Sequence, residues 1–181
     1  MTKTSYKEAK QKRAVRGFLF SHYKKSKIVG LAGPDINEYL SWCKESGFEV
    51  EEIWENDSRV MMKQLTEISQ DMMFKYRFGN INDTIPDKEK TVYDLDYCGA
   101  IHTLASAVIK FKKNAVMTFA LRGVGIEKTI ETFFKHRKEK IISRSKKLKP
   151  VGHISIQTNK GKYIVAPYFD TTPMISIAQI S

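Results

Sequence analysis

Short apolar segments typical of β-strands alternate with segments of helical spacing along most of the chain, and this alternation constrains the fold most strongly. A strand-like run at 27–31 is followed by a helical pattern over 35–46, and a second run at 48–54 is followed by a helix that opens at 56–58. Parallel strands need long crossover connections, which are usually helices. The pattern therefore predicts an α/β domain with a mostly parallel sheet and helices on both faces.

The other predicted elements extend this pattern and then depart from it. Further helices are predicted over 5–25, 100–112 and 127–142, and further strands over 78–81, 91–96, 115–121, 153–158, 163–169 and 174–180. No helical pattern separates the last strands. They therefore predict antiparallel pairing, with a β-hairpin closing the sheet.

Composition narrows the class of protein. With 181 residues, of which 41% are hydrophobic, the chain can bury one sizeable core. Its apolar runs fall far short of the roughly 20 residues that span a bilayer, and its first residues are too polar for a secretory signal. Cys43 and Cys98 form no C-x-x-C pair, and the histidines lack metal-ligand spacing. We expect a cytoplasmic single-domain protein without a metal site.

Charge is strongly segregated along the sequence. Residues 1–27 hold nine basic side chains and one acidic one, 28–109 hold seven and fifteen, and 110–149 hold thirteen and three. Clustered lysines and arginines favour phosphate backbones, so nucleic acid is the first partner to consider. Ordinary solvated helix faces would give the same pattern. The candidate phosphate contacts are Arg13, Arg16, Lys24, Lys25, Arg122, Lys128, Arg137, Arg144 and Lys146.

Ligands of open α/β sheets bind beyond the carboxyl ends of the strands, so the residues that follow each strand matter most. The first such corner is the small-residue turn over 30–34, which lets a backbone approach a ligand closely. The second ends in Glu55, a carboxylate placed to accept ribose hydroxyls. Asn80 and Ile81 form a third corner. A plain strand-to-helix turn, a helix N-cap and an ordinary loop are the competing explanations.

The fourth corner has the most specific composition. Asp94 and Asp96 alternate along the end of an apolar strand and so share one face, and Tyr97 follows them. A buried carboxylate is costly unless it has a partner, so this pair predicts a functional or ion-paired site.

Together these corners resemble class I, Rossmann-like S-adenosylmethionine-dependent methyltransferases over residues 28–181, with a basic N-terminal helix over 1–27 packed on that domain. The turn is similar to the family's glycine-rich first motif, and Asp96-Tyr97 to the Asp/Asn-Pro-Pro-Tyr/Phe motif of nucleic-acid amino-methyltransferases, without its prolines. The closing hairpin is similar to the family's sixth and seventh strands. The cofactor residues that the resemblance implies are Gly30, Ala32, Gly33, Pro34, Glu55, Asn80 and Ile81.

The resemblance implies methyl transfer from S-adenosylmethionine to a nucleic acid, at a base nitrogen, with Asp96, Tyr97 and Asp94 as catalytic residues. Asp96 would orient or deprotonate the acceptor, and the aromatic ring would stack on an extruded base. The alternatives are a methyltransferase-like subunit that only binds nucleic acid or assists assembly, and a methyltransferase for a protein or small molecule. A partner subunit or a homo-oligomer would fit the small size of the chain.

Overall fold

The computed structural model describes residues 10–23, 26–97, 99–170 and 172–180. Within these ranges nine strands form one sheet. They are β1 (Lys27–Leu31), β2 (Glu49–Glu55), β3 (Tyr76–Phe78), β4 (Thr91–Asp96), β5 (Ala115–Ala120), β6 (Ile141–Lys147), β7 (His153–Thr158), β8 (Lys162–Tyr168) and β9 (Met174–Ile180). The helices are α1 (Lys10–Phe20), α2 (Ile36–Glu45), α3 (Ser58–Leu65), α4 (Gln70–Met73), α5 (Ala105–Lys110) and α6 (Ile126–Arg137).

The strand order across the sheet is β3-β2-β1-β4-β5-β9-β8-β7-β6. Neighbours from β3 to β5 pair in parallel, whereas β9, β8, β7 and β6 follow as antiparallel neighbours. The direction in which the chain is wound reverses between β1 and β4, so their carboxyl ends flank the crevice where such sheets bind ligands. The predicted Rossmann-like α/β fold with its closing antiparallel hairpin is confirmed, and two further antiparallel strands extend it.

Helices cover both faces of the sheet, as predicted. On one face, α1, α2 and α3 bury an apolar layer that includes Leu19, Tyr39 and Ile53. On the other, α5 and α6 pack over a second layer that includes Val108 and Phe133. Burial of these two layers supplies the hydrophobic stabilisation of the three-layer domain.

The prediction of one helix over 127–142 is wrong at its C-terminal end. Helix α6 stops at Arg137 because Lys138 adopts a left-handed conformation (φ 53°). The side chain of Glu139 then accepts hydrogen bonds from Tyr163 and Thr158, which ties the chain to the sheet. The segment after it becomes β6, an almost fully exposed edge strand with little apolar patterning to reveal it.

Three other predicted elements change their limits. Helix α1 is described from Lys10 and ends at Phe20, and residues 5–9, 24 and 25 of the predicted helix lie outside the described residues. The predicted helix over 100–112 divides at Leu104 into a 3₁₀ turn, Ile101–Thr103, and α5. Strand β3 ends before Gly79, whose φ of 144° breaks the extended run, so Ile81 lies in a 3₁₀ turn.

Among the described residues, no helix has both the length and the apolar character required to cross a bilayer.

Candidate functional site

Strands β1 to β5 run in parallel, so the turns that follow these five strands lie at one edge of the sheet, its carboxyl edge. Each turn contains polar residues or glycine. The corner between β8 and β9 joins them, since Tyr168 pairs with Met174, which in turn pairs with Ala120 at the end of β5. Most of the predicted cofactor and catalytic residues therefore lie at one edge.

The corner after β1 is held open by a hydrogen-bond chain. Gly33 has a φ of 72°, and no atom of the described part of the chain would lie within 4 Å of a Cβ built on it. The buried Gln64 of α3 donates to the Gly33 carbonyl and accepts from the hydroxyl of Tyr76. The turn over Ala32, Gly33 and Pro34 is thus fixed by the protein while the space beside Gly33 stays clear.

The sequence predicts that Gly30 contacts the cofactor, whereas the structure gives this glycine a packing role. A Cβ at this position would come within 2.2 Å of the Tyr39 hydroxyl and 2.9 Å of the Asp94 Cβ. Contacts this short are not tolerated in packed interiors. The glycine therefore makes room for side chains of the protein itself, which accounts for it without a ligand.

Glu55 ends β2 with its side chain almost wholly buried. Its Oε1 accepts hydrogen bonds of 2.9 Å from the backbone amides of Asn56 and Asp57. The N-cap of α3 is a separate residue, because Asp57 Oδ1 accepts from the Arg59 amide at 2.9 Å. The competing N-cap explanation therefore does not account for Glu55, which instead shapes the corner after β2.

The third corner connects to the fourth. Asn80 is exposed and accepts from the amide of Asn82, while Ile81 is buried beneath the turn. The hydroxyl of Tyr97 donates to Asn82 Oδ1 at 2.9 Å. Burial raises the pKa of the Tyr97 hydroxyl above its ordinary value, so this group stays protonated at neutral pH.

Asp94 is not placed as a catalytic residue. Its side chain is fully buried and forms an ion pair with the equally buried Arg16 of α1. Burial raises the pKa of the Asp94 carboxyl above its usual value, although the Arg16 guanidinium opposes that shift. The predicted catalytic role of Asp94 and the predicted phosphate contact of Arg16 are both wrong in this conformation, because neither side chain reaches the surface.

Asp96 is the accessible carboxylate of the pair. Its side chain is 14% exposed, and its Oδ2 lies 2.5 Å from the Lys12 ammonium and 3.9 Å from an Arg16 nitrogen. Burial disfavours the charged form of Lys12, but Asp96, Tyr168 and Asp94 together outweigh this effect and raise the pKa of Lys12. Helix α1 therefore brings a cation onto the predicted catalytic aspartate.

The start of α1 is fastened at the same edge. Asp170 Oδ2 accepts from the backbone amide of Gln11 at 2.7 Å, and the Phe169 amide donates to the Gln11 side chain at 2.9 Å. The hydroxyl of Tyr168 is buried near Asp96 and Lys12. These contacts hold the beginning of α1 beside Asp96 at the carboxyl edge.

Arg137 is the second predicted phosphate contact that the structure contradicts. The side chain is buried and donates to the carbonyls of Phe111 and Lys112 at 2.7 and 2.8 Å. It also donates to Gln179 Oε1 at 2.7 Å and to Glu139 Oε1 at 3.0 Å. Its role is to fasten the end of α6 to the neighbouring elements, which leaves it unavailable to an external ligand.

The remaining predicted basic residues are exposed but do not form a single row. Arg13 lies on α1 and Arg122 follows β5 at the carboxyl edge, with a φ of 39°. Lys128 and Lys146 are exposed, and Arg144 forms an ion pair with Glu127 of α6. Helices α1 and α6 cover opposite faces of the sheet. Lys24 and Lys25 lie outside the described residues.

Sequence reasoning missed Lys12 and Gln64. Lys12 stands among other basic residues of α1 and is singled out only by its contact with Asp96. Gln64 is buried while the apolar residues beside it in α3 are only partly buried or exposed, and no local signal marks it as buried. Within the described part of the chain, no group of three histidine, cysteine or acidic side chains could hold a metal ion.

Comparison with known proteins gives structural similarity without sequence similarity. No protein-family model and no curated protein match the sequence. A transferase structure from Pyrococcus horikoshii has a TM-score of 0.49 at 15% identity, over 93% of this chain and 63% of that one. The chain thus spans less than two thirds of that structure.

Two Methanococcus jannaschii structures are similar to the same degree. TYW2, determined in complex with AdoMet, has a TM-score of 0.49 at 12% identity, over 93% of this chain and 74% of that one. The pre-rRNA processing protein fibrillarin has a TM-score of 0.49 at 13% identity, over 98% of this chain and 77% of that one. By its own strand order and layers, this chain has a Rossmann-like α/β fold.

Proposed function

We propose that the chain is an S-adenosylmethionine-dependent methyltransferase that acts on a nucleic acid, at a base nitrogen. The observation that carries this proposal is the meeting of three features at the switch point of the sheet. These are the open turn at Gly33, the carboxylate of Glu55 and the pair Asp96-Tyr97. Each matches a motif of the resemblance in the sequence, and β1, β2 and β4 bring them to one edge.

The residues present fit the cofactor. The space beside Gly33 suits the methionine portion, because no atom of the described residues lies within 4 Å of a Cβ built there. Glu55, the carboxylate that ends β2 beside this turn, would accept the ribose hydroxyls. Asn80 and Ile81 would border the adenine. The bound cofactor supplies an electrophilic methyl group.

The chain's own contribution to the chemistry is mainly positioning. Asp96 would accept a hydrogen bond from the target amine and orient its lone pair. Tyr97, held by its hydrogen bond to Asn82, offers an aromatic face for an extruded base. The excess of basic residues over acidic ones, 31 to 20, supports a polyanionic target.

Transfer of a labelled methyl group from S-adenosylmethionine to pooled DNA, RNA and protein tests this proposal. We expect incorporation into a nucleic acid, reduced about 100-fold or more in Asp96→Asn, because general base or orienting groups contribute about 10²–10⁴-fold. Asp83→Asn is the matched control, since Asp83 is exposed in the turn after β3. Incorporation into protein alone would refute the nucleic-acid target.

A second candidate function has its own supporting observation. Lys12 already pairs with Asp96, and Arg16 pairs with Asp94, so both carboxylates are neutralised within the protein. Such a site suits a methyltransferase-like subunit that binds nucleic acid without transferring a methyl group. This alternative would be favoured if both the wild type and Lys12→Ala bound the cofactor but neither transferred a methyl group. A gain of methyl transfer in Lys12→Ala would favour the enzyme.

A further inference from the structure

A cavity of about 500 Å³ lies on the α1 face of the sheet, away from the β1–β4 switch point. We name it the β6–β8 groove. It is lined by Phe18 of α1, by His22 in the turn after α1, and by Ser145, Lys147, Ser155 and Lys162 of the strands. Its volume falls within the usual range of ligand sites.

The strand register explains why these side chains face the same way. Ser145 pairs with Ser155, Ser143 with Gln157, and Gln157 with Lys162 across antiparallel strands. Directly opposed residues of an antiparallel pair point to one face of the sheet. Lys147, which pairs with His153, extends this face at the other end of β6.

The charge of the groove is of one sign. Lys147, Lys149 and Lys162 are exposed at its lining, and no carboxylate occurs among the described residues that line it. The hydroxyls of Ser143, Ser145 and Ser155 add neutral hydrogen-bonding groups between the lysines. Ammonium groups and hydroxyls in this arrangement match the oxygens of successive phosphates.

Aromatic rings complete the groove. The Phe18 ring lies 4.9 Å from the His153 ring and 5.3 Å from the His22 ring, measured between centroids. Grooves that combine cations with aromatic rings bind single strands, because unpaired bases stack on the rings while the cations follow the backbone. In a duplex the bases are already stacked on one another.

We propose that the β6–β8 groove binds a single-stranded nucleic acid. The proposal shares its target class with the proposed function, but the binding needs neither the cofactor nor the residues of the switch point. Strands β4 and β6 are five positions apart in the sheet, or about 24 Å at the usual strand spacing. The groove would therefore anchor the target strand at a distance from the site of methyl transfer.

The test is fluorescence anisotropy of a labelled oligonucleotide of about 12 nucleotides, without cofactor, over a range of salt concentrations. The groove variant is Lys147→Ala/Lys149→Ala/Lys162→Ala. Each phosphate neutralised on a single strand contributes about −0.7 to the slope of log K against log salt. The variant should therefore flatten the slope by about 2 and weaken binding about 100-fold at 0.1 M salt.

The matched control is Lys44→Ala/Lys112→Ala/Lys113→Ala, which removes the same charge from exposed positions outside the groove. It should bind within about threefold of the wild type. Equal losses in the two triple variants would overturn the proposal, because they would show that net charge alone attracts the strand.

Two further measurements sharpen the result. His22→Ala should weaken binding about fivefold or more and leave the salt slope that the three lysines produce unchanged, since it removes an aromatic ring and none of these lysines. A duplex of the same sequence should be weakened equally by the groove and control variants. A duplex that loses as much affinity as the single strand in the groove variant would overturn the assignment to single strands.

Failure of this proposal can be told apart from failure of the proposed function. Calorimetric binding of S-adenosylhomocysteine should be unchanged in the groove variant. Strand binding that depends on the three lysines in a protein without cofactor binding would support the groove and contradict the methyltransferase.

Discussion

Replacing Asp94 by asparagine removes the negative charge of the buried ion pair with Arg16 and changes the side-chain shape little. Both side chains are 0% exposed, so the guanidinium would stay in the interior with one fewer counterion. Removing one partner of a buried pair costs about 3–5 kcal/mol. Because Asp96 remains 3.9 Å from Arg16, we expect the lower end of that range, about 3 kcal/mol.

The assay is guanidinium unfolding of a double-mutant cycle. Arg16→Met keeps a long apolar side chain beside the Phe20 and Trp42 rings, whose centroids lie 5.0 and 5.3 Å from the guanidinium carbon. The double variant should be more stable than the sum of the single losses predicts, with a coupling free energy of about 2 kcal/mol or more. Additive losses, or an Asp94→Asn loss below about 1 kcal/mol, would refute the buried pair.

Two further predictions concern packing and pH. Gly30→Ala should destabilise the fold by about 1–3 kcal/mol, because its Cβ would meet Tyr39 and Asp94, whereas Gly17→Ala in α1 meets nothing within 4 Å and should stabilise it. Thermal unfolding of both variants checks this, and equal effects would contradict the packing account. Burial opposes ionisation of Glu139, but hydrogen bonds from Tyr163, Thr158 and Arg137 outweigh it and hold the pKa of this carboxyl below its usual value. Its contribution to stability is therefore complete above about pH 4.5 and is lost as the pH falls through the lower folded-state pKa. Glu139→Gln should be less stable than the wild type at pH 7, and urea unfolding should show that difference narrowing towards pH 3. A difference independent of pH would contradict the assignment.

The central parallel strands could be predicted from the sequence because both of their faces are buried. Strand β4 occupies the predicted range 91–96, and β5 ends one residue before its predicted end. Five of the six residues of β5 are apolar, which is the pattern of a buried parallel strand, and in β4 the apolar Val92, Tyr93 and Leu95 accompany the two aspartates.

Edge strand β6 could not be predicted in the same way. Its side chains are nearly all exposed, so pairing with β7 gives it its structure and burial contributes little. In the sequence, a basic, polar segment directly after a helix resembles a continuation of that helix. It forms a strand only because it pairs with β7 in the folded protein.

The residues at the strand ends of the candidate site could be predicted from the sequence, whereas the ion pairs that these residues form could not. Gly33, Glu55 and Asp96 could be predicted because each stands at the end of a strand or shortly after it. Arg16 and Asp94, by contrast, are 78 positions apart, and nothing local distinguishes a buried arginine of α1 from its exposed neighbours. Long-range ion pairs of this kind become visible only when the helix is packed on the sheet.

Calorimetric titration with S-adenosylhomocysteine tests the central claim most directly, using the wild type, Glu55→Gln and the control Glu49→Gln. Glutamine at position 55 can still accept from the loop amides but loses the charge that favours ribose hydroxyls, and Glu49 is exposed at the other end of β2. We predict binding by the wild type and the control, weakened about 10- to 100-fold in Glu55→Gln, as expected for a hydrogen bond to a charged group. Absence of binding by the folded wild type, or equal affinity in all three proteins, would contradict the cofactor site at the carboxyl edge of the sheet.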